Sequence, residues 1–214
     1  AARSTGQPAI FSVVPGPGIM SAMGALATAW AVNAPVMSFC GQIESSGIGL
    51  GRGYLHEIPD QLATLATLVK HAERIQTAEA APQMVNDALI AMQSGRPGPV
   101  HLEMSPDIME ERVEHVSCSA ANPVTPVCAD VDTIQDAIDI LIQSERPLIH
   151  VGGGATGAAT EVNELARLIE APVSAFRSGR GIVDDDDYHA QVFPAGRRPV
   201  SYTHLRAHET EADL

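Results

Sequence analysis

The chain has 214 residues, with 26 acidic against 13 basic side chains, a formal net charge of −13 and a pI near 4.9. That balance argues against a polyanion such as nucleic acid, or an anionic membrane surface, as partner. A hydrophobic content of 45% and a mean hydropathy of +0.04 exclude wholesale disorder. No apolar run reaches membrane-spanning length. Three cysteines (Cys40, Cys118, Cys128) with no CxxC pair argue against a disulfide or zinc framework and fit a reducing cytoplasm.

In chain order, Ala9 to Val14 is a short apolar run between Pro8 and Pro15-Gly16-Pro17-Gly18, which predicts a buried strand ending in a tight loop. Ile19, Met23, Leu26, Ala27 and Trp30 then recur at helical spacing, and Asn33 falls where that helix should be capped. Pro35 to Cys40 reads as a second buried strand. Gly41 to Gly53 holds five glycines and reads as a long loop. Pro59 to Val69 predicts a helix with Pro59 in its first turn. His71 to Ile75 is a short strand, Ala81 to Met92 a helix, Gly95 to Pro99 a turn and Val100 to Met104 a strand. Strands alternating with helices imply a doubly wound parallel α/β sheet covered on both faces. From Ser105 to Val131 the periodicity fades and the segment reads as a linker.

A second α/β unit opens at Asp132, which with Gln135 resembles a capping box. A helix through Ile134 to Ile142 is expected, then a strand at Pro147–Val151, a glycine turn at Gly152–Gly157, a helix over 160–169 and a strand over 172–175. Gly152, Gly154 and Gly157 match G-x-G-x-x-G between strand and helix. That pattern admits a dinucleotide pyrophosphate, and equally a close-packed turn that binds nothing. The acidic residue expected about twenty positions on is missing, since position 174 is Ser. Asp184 to Asp187 read as a solvated loop. His56 beside Glu57 has the chemistry for acid–base work. His101 and His150 alternate with apolar neighbours and have no partner legible in the sequence.

The order of these motifs is more telling than any one of them. Ala2-Arg3-Ser4-Thr5-Gly6-Gln7-Pro8, Val13-Val14-Pro15-Gly16-Pro17-Gly18, Gly41-Gln42-Ile43, His56-Glu57 and Gly95-Arg96-Pro97-Gly98-Pro99-Val100, followed by Arg146-Pro147 to Gly154 and Ser178-Gly179-Arg180-Gly181, resemble the thiamine-diphosphate-dependent enzymes, in their acetolactate synthase-like and 2-oxo acid decarboxylase branch. The resemblance implies an N-terminal pyrimidine-binding domain over 1–112, a linker over 113–131 and the start of a Rossmann-like central domain over 132–199. It implies thiamine diphosphate as cofactor, a 2-oxo acid as substrate, and a homodimer or homotetramer for the full-length protein. On that analogy Pro17, Gly18 and Ser21 contact the aminopyrimidine ring, while Gln42, Leu55 and His56 face the substrate. Two positions depart from the synthases: Ser21 stands where they carry Asn, and Leu55-His56-Glu57 where they carry Phe-Gln-Glu. The family's activating glutamate is expected upstream of Ala1. Mg2+ is expected in a C-terminal domain beyond this chain, so no metal ligand or catalytic residue is assigned here and the chain alone is expected to be inactive. FAD in the central domain remains open, and the competing reading is a non-catalytic NAD- or FAD-binding Rossmann module.

Val200 to Thr210 resembles the translation of a transposon-type sequencing-library adapter, so residues 200–214 are read as a non-native tail. Setting it aside removes three acids and one base, leaving 23 and 12 and a net charge of −11.

Overall fold

A computed structural model describes residues 2–114 and 128–191. The chain divides into two compact units, residues 1–127 and 128–214. Cys118 and the 200–214 tail lie outside the described residues, together with most of the 113–131 linker.

The first unit begins with a short helix α1 (Ala2–Thr5), then β1 (Ala9–Val13), α2 (Pro17–Ala31), β2 (Val36–Gly41), α3 (Gln61–Ala66), β3 (His71–Ile75), α4 (Ala81–Gln93), β4 (Val100–Met104) and α5 (Pro106–Met109). The strands form one parallel sheet in the order β1-β2-β4-β3. Two helix starts show a local cause. Pro17 sits at the first turn of α2, where a missing N–H costs nothing, and the Asp60 carboxylate accepts from Ala63 N to cap α3. Asn33 adopts φ 54° just past α2, the left-handed residue that closes a helix.

Two apolar layers flank the sheet. Met37, Val100, Leu102, Met104 and Ile75 pack with Ala88 and Met92 of α4. On the opposite face Cys40 packs with Ile19 and Leu26 of α2 and with Leu65 and Val69. Each large side chain removed from water here contributes about 1.5–3 kcal/mol. Strand β4 is buried at all five positions because it is central and covered on both faces.

Strand β1 differs from the buried strand expected. It lies at the edge of the described sheet, none of its five residues is buried, and Ile10 is 60% exposed. The segment read as aperiodic after Ser105 contains α5, a single turn whose Asp107 carboxylate accepts from Ser45 N at 3.0 Å.

The second unit contains α6 (Val131–Ile142), β5 (Ile149–Val151), α7 (Ala159–Leu168), β6 (Val173–Ala175) and β7 (Ala190–Gln191), with a parallel sheet in the order β5-β6-β7. Val151, Ala166, Val173, Ile182 and Val183 form its core. The cap of α6 is Asp130, which accepts from Thr133 N at 2.9 Å, and not the Asp132–Gln135 box read from the sequence. Although α6 is amphipathic, none of its residues is buried. Among the described residues no helix is long and apolar enough to cross a membrane.

Candidate functional site

The site lies where β1 and β2 of the first unit end, at the carboxyl rim of the sheet, the edge where open α/β folds bind ligands. The chain leaves β1 through Val14 and turns at Pro15-Gly16-Pro17 into α2. Gly16 is buried at φ 58°, and a Cβ there would lie 2.4 Å from the carbonyl oxygen of His56. Only glycine tolerates both the dihedral and that approach. A Cβ on Gly18 would meet Val14 Cγ2 at 2.6 Å, and one on Gly41 would lie 3.2 Å from Pro15 Cδ. The elbow is therefore pressed between the end of β2 and the Tyr54–Glu57 turn. That turn is closed by Glu57 N donating to Tyr54 O at 2.9 Å and Tyr54 N donating to Glu57 Oε2 at 2.8 Å.

The elbow has few amides to offer. Pro15 and Pro17 have no N–H. Gly16 N donates to Gln61 Oε1 at 2.9 Å, Ile19 N to Val14 O at 3.1 Å and Met20 N to Gly16 O at 3.0 Å. A phosphate cradle needs amides aimed outward. This elbow instead presents the exposed Pro17 and half-buried Pro15 and Gly18, a rigid surface with little donor capacity.

The expected site residues gather here to different degrees. Pro17 and Gly18 form the elbow itself. Ser21 lies one turn along α2, exposed, its hydroxyl donating to Pro17 O at 2.8 Å. His56 is half-buried at φ 70° and touches the elbow through its carbonyl. Leu55, beside it, is 83% exposed. Gln42 follows the tip of β2, but its side chain turns inward, where Oε1 accepts from Ile43 N at 2.8 Å and Nε2 donates to Glu103 Oε1 at 3.3 Å.

Beneath the elbow lies a group the motifs did not disclose. Register aligns Cys40, Glu103 and Arg74 across β2, β4 and β3, and Ser38 with His101 one layer below. Glu103 is fully buried. Arg74 Nε donates to Glu103 Oε1 at 2.6 Å, Gln61 Nε2 donates to Oε2 at 2.8 Å, and His101 Nε2 lies 3.5 Å from Oε2. His101 Nδ1 and Ser38 Oγ are 2.9 Å apart. Burial opposes ionisation of Glu103, but the nearby His101 ring, hydrogen bonds from Gln61 and Arg74 and the Arg74 charge outweigh it, so its carboxyl is held below the usual range. For Cys40, burial first and the Glu103 charge second push the thiol up to about 12, against a lowering hydrogen bond from Gln61, and keep it neutral. Gln42, Gln61 and Arg74 also line a cleft of about 100 Å³ with Ile43, Ile48 and Asp60.

The signal that could have revealed this group is β4 itself. A central strand has no solvated face, so the polar residues of Val100-His101-Leu102-Glu103-Met104 must find partners inside the protein.

In the second unit Gly153–Ala158 is a 3-10 helix ahead of α7, tied down by Gly153 N donating to Ser178 Oγ at 3.0 Å and Thr156 Oγ1 donating to Gly153 O at 2.8 Å. Asp187, the last of the aspartate run, is partly buried. It pairs with Arg167 at 3.1 Å and with His189 Nδ1 at 3.1 Å. His150 lies edge-on to Phe176, with ring centroids 6.4 Å apart.

Comparison with known proteins bears on the family and the fold. Residues 1–64 match the thiamine pyrophosphate enzyme N-terminal TPP binding domain, and residues 134–213 match the central domain of the same enzymes, a match that crosses the stretch read above as a tail. The chain is 29% identical over 198 residues to an acetolactate synthase of Arthrospira platensis, covering 86% of this chain and 33% of that protein. It is 30% identical over 175 residues to the large subunit of acetolactate synthase isozyme 1 of Escherichia coli K12, covering 81% and 30%. A probable 2-ketoarginine decarboxylase, AruI, of Pseudomonas aeruginosa is 29% identical over 188 residues, covering 86% and 33%. The chain thus spans about a third of the length of the curated relatives it matches. An X-ray structure from Mycobacterium smegmatis, assigned as a thiamin diphosphate-dependent enzyme, shares the fold with a TM-score of 0.73 at 23% identity, over 89% of this chain and 37% of that one. With both domain matches in their family order on an α/β frame of parallel sheets, the chain belongs to the thiamine pyrophosphate enzymes.

Proposed function

We propose that the Pro15–Gly18 elbow seats the aminopyrimidine half of thiamine diphosphate, within a larger enzyme that acts on a 2-oxo acid by decarboxylation or carboligation. One observation carries this reading. The elbow sits at the carboxyl rim, is held rigid by two prolines and a buried glycine, and of its four positions two lack an N–H and a third gives its own to Gln61, so it suits a flat ring better than a phosphate. When bound, the cofactor supplies an electron sink for the bond that breaks next to the substrate's carbonyl. This chain's own part is to hold the ring against Pro17 and Gly18, with Ser21 one turn further along α2. Leu55 and His56 stand at the mouth, where the substrate side chain would approach, and Gln42 joins them if its side chain swings outward.

The diphosphate and its Mg2+ belong, on this reading, to protein outside residues 1–214, and the working assembly is a homodimer or homotetramer in the cytoplasm. The NAD- or FAD-binding alternative is not favoured. The 3-10 helix Gly153–Ala158 stands between β5 and α7, so the first turn of α7, from Ala159, carries none of the three glycines.

Calorimetric titration of the chain with thiamine, inorganic pyrophosphate and NAD tests the proposal. Thiamine is expected to bind with a measurable heat and pyrophosphate to give none. Binding of pyrophosphate or NAD with no binding of thiamine would overturn it.

A further inference from the structure

Gln61 is the first residue of α3, yet it is among the most completely buried side chains of the first unit. Its place is set locally by the Asp60 cap, which starts the helix so that residue 61 points under the rim. Its amide has two ends with different tasks. Oε1 accepts the Gly16 N–H at 2.9 Å, across 45 residues of sequence. Nε2 donates to Gly41 O at 3.1 Å and to Glu103 Oε2 at 2.8 Å.

A primary amide flips easily in isolation, but this one cannot. An ionised carboxylate has no donor, so Glu103 must face the NH2 end, and the oxygen end is thereby turned toward Gly16. Glu103 is in turn fixed by Arg74 at 2.6 Å. A chain of contacts therefore runs from the edge strand β3, through the central strand β4, to the loop ends after β1 and β2.

We propose that Gln61 is a positioning residue for the cofactor seat: oriented by the Glu103–Arg74 pair, its amide clasps Gly16 and Gly41 and so fixes the spacing between the elbow and the end of β2. This rests on the elbow reading above. The clasp touches no ligand and acts through the backbone of Gly16 and Gly41.

The test uses amide hydrogen exchange and thiamine titration on the whole chain. In the wild type, Gly16 should exchange far more slowly than a free peptide amide although it lies in a loop. In Gln61→Met, which keeps the side-chain length and loses both hydrogen-bonding ends, exchange at Gly16 should rise about tenfold or more relative to the core amide of Leu102, and thiamine affinity should fall about tenfold. Loss of overall stability alone would speed Gly16 and Leu102 by the same factor, and that result overturns the proposal. A rise at Gly16 with unchanged affinity overturns it too. Glu103→Gln, whose carbonyl can still accept from Gln61, should show a smaller rise at Gly16. Should Gln61→Met fail to fold, the wild type and Glu103→Gln decide, because a wild-type Gly16 exchanging at the free-peptide rate is fatal to the clasp. A wild type that binds no thiamine but shows the Gly16 response sinks the elbow reading and leaves the clasp standing as backbone geometry only.

Discussion

The two glycine elbows of this chain look alike in sequence and differ in construction. Each follows a parallel strand and precedes a helix. Pro15–Gly18 is held from a distance: His56 presses on Gly16 from 40 residues away, and Gln61 takes its amide. Gly152–Gly157 is closed mainly by its own 3-10 winding, helped by Ser178. Added Cβ atoms on Gly152, Gly154 and Gly157 would meet nothing within 4 Å, whereas one on Gly16 would collide with backbone. Glycine spacing alone therefore does not assign a ligand. What decides is which amides remain free and which backbone atoms stand where a side chain would go.

That contrast can be broken by substitution. The largest effect is expected from Gly16→Ala, which combines a left-handed dihedral with a 2.4 Å backbone contact. Denaturant unfolding should show a loss of about 3 kcal/mol or more, while Gly154→Ala should stay within about 0.5 kcal/mol of wild type. Equal costs at the two glycines would erase the distinction. Next, Glu103→Ala leaves Arg74, which is 24% exposed, without its partner over a buried gap. A destabilisation of about 2–3 kcal/mol is expected in the same measurement, below that of a fully buried pair because Arg74 keeps access to water.

Titration sharpens the picture. The Glu103 carboxyl is lowered in the folded state against about 4.3 when unfolded. Its contribution is thus fully present above about pH 4.3 and is lost as the pH falls through the folded value. The acid limb of the stability–pH curve should be shallower in Glu103→Gln than in the wild type, and identical limbs would contradict the assignment. Cys40 has the opposite sense. Its thiol is raised to about 12 in the fold, against about 8.5 unfolded, so stability falls as the pH rises between these values. Native alkylation should accordingly mark the exposed Cys128 and spare the buried Cys40. The smallest effect is expected from Asp60→Ala, which removes the α3 cap for about 1 kcal/mol by thermal unfolding.

Much of the frame was legible in the sequence because it rests on short-range signals. Pro15-Gly16-Pro17-Gly18 marks a turn through its dihedral limits, and the apolar spacing of Ile19, Met23 and Leu26 marks the helix that follows. The buried polar group was not legible, because Gln61, Arg74 and Glu103 come from three separate elements and meet only through sheet register. The exposure of β1 was hidden for a related reason. Ala-Ile-Phe-Ser-Val reads as a strand buried on both sides, and no local feature tells a central strand from an edge. In the second unit, Asp130 and Asp132 are equally good caps by type, and only the backbone around Thr133 selects Asp130.

The central claim, that the first elbow and not the second seats the aminopyrimidine ring, is most directly tested by following backbone amide shifts while thiamine is added to the 15N-labelled chain. The account predicts shifts concentrated at Gly16, Gly18 and Ser21, with Gly153 to Gly157 unmoved. Shifts confined to Gly153–Gly157, with Gly16 and Gly18 silent, would contradict it.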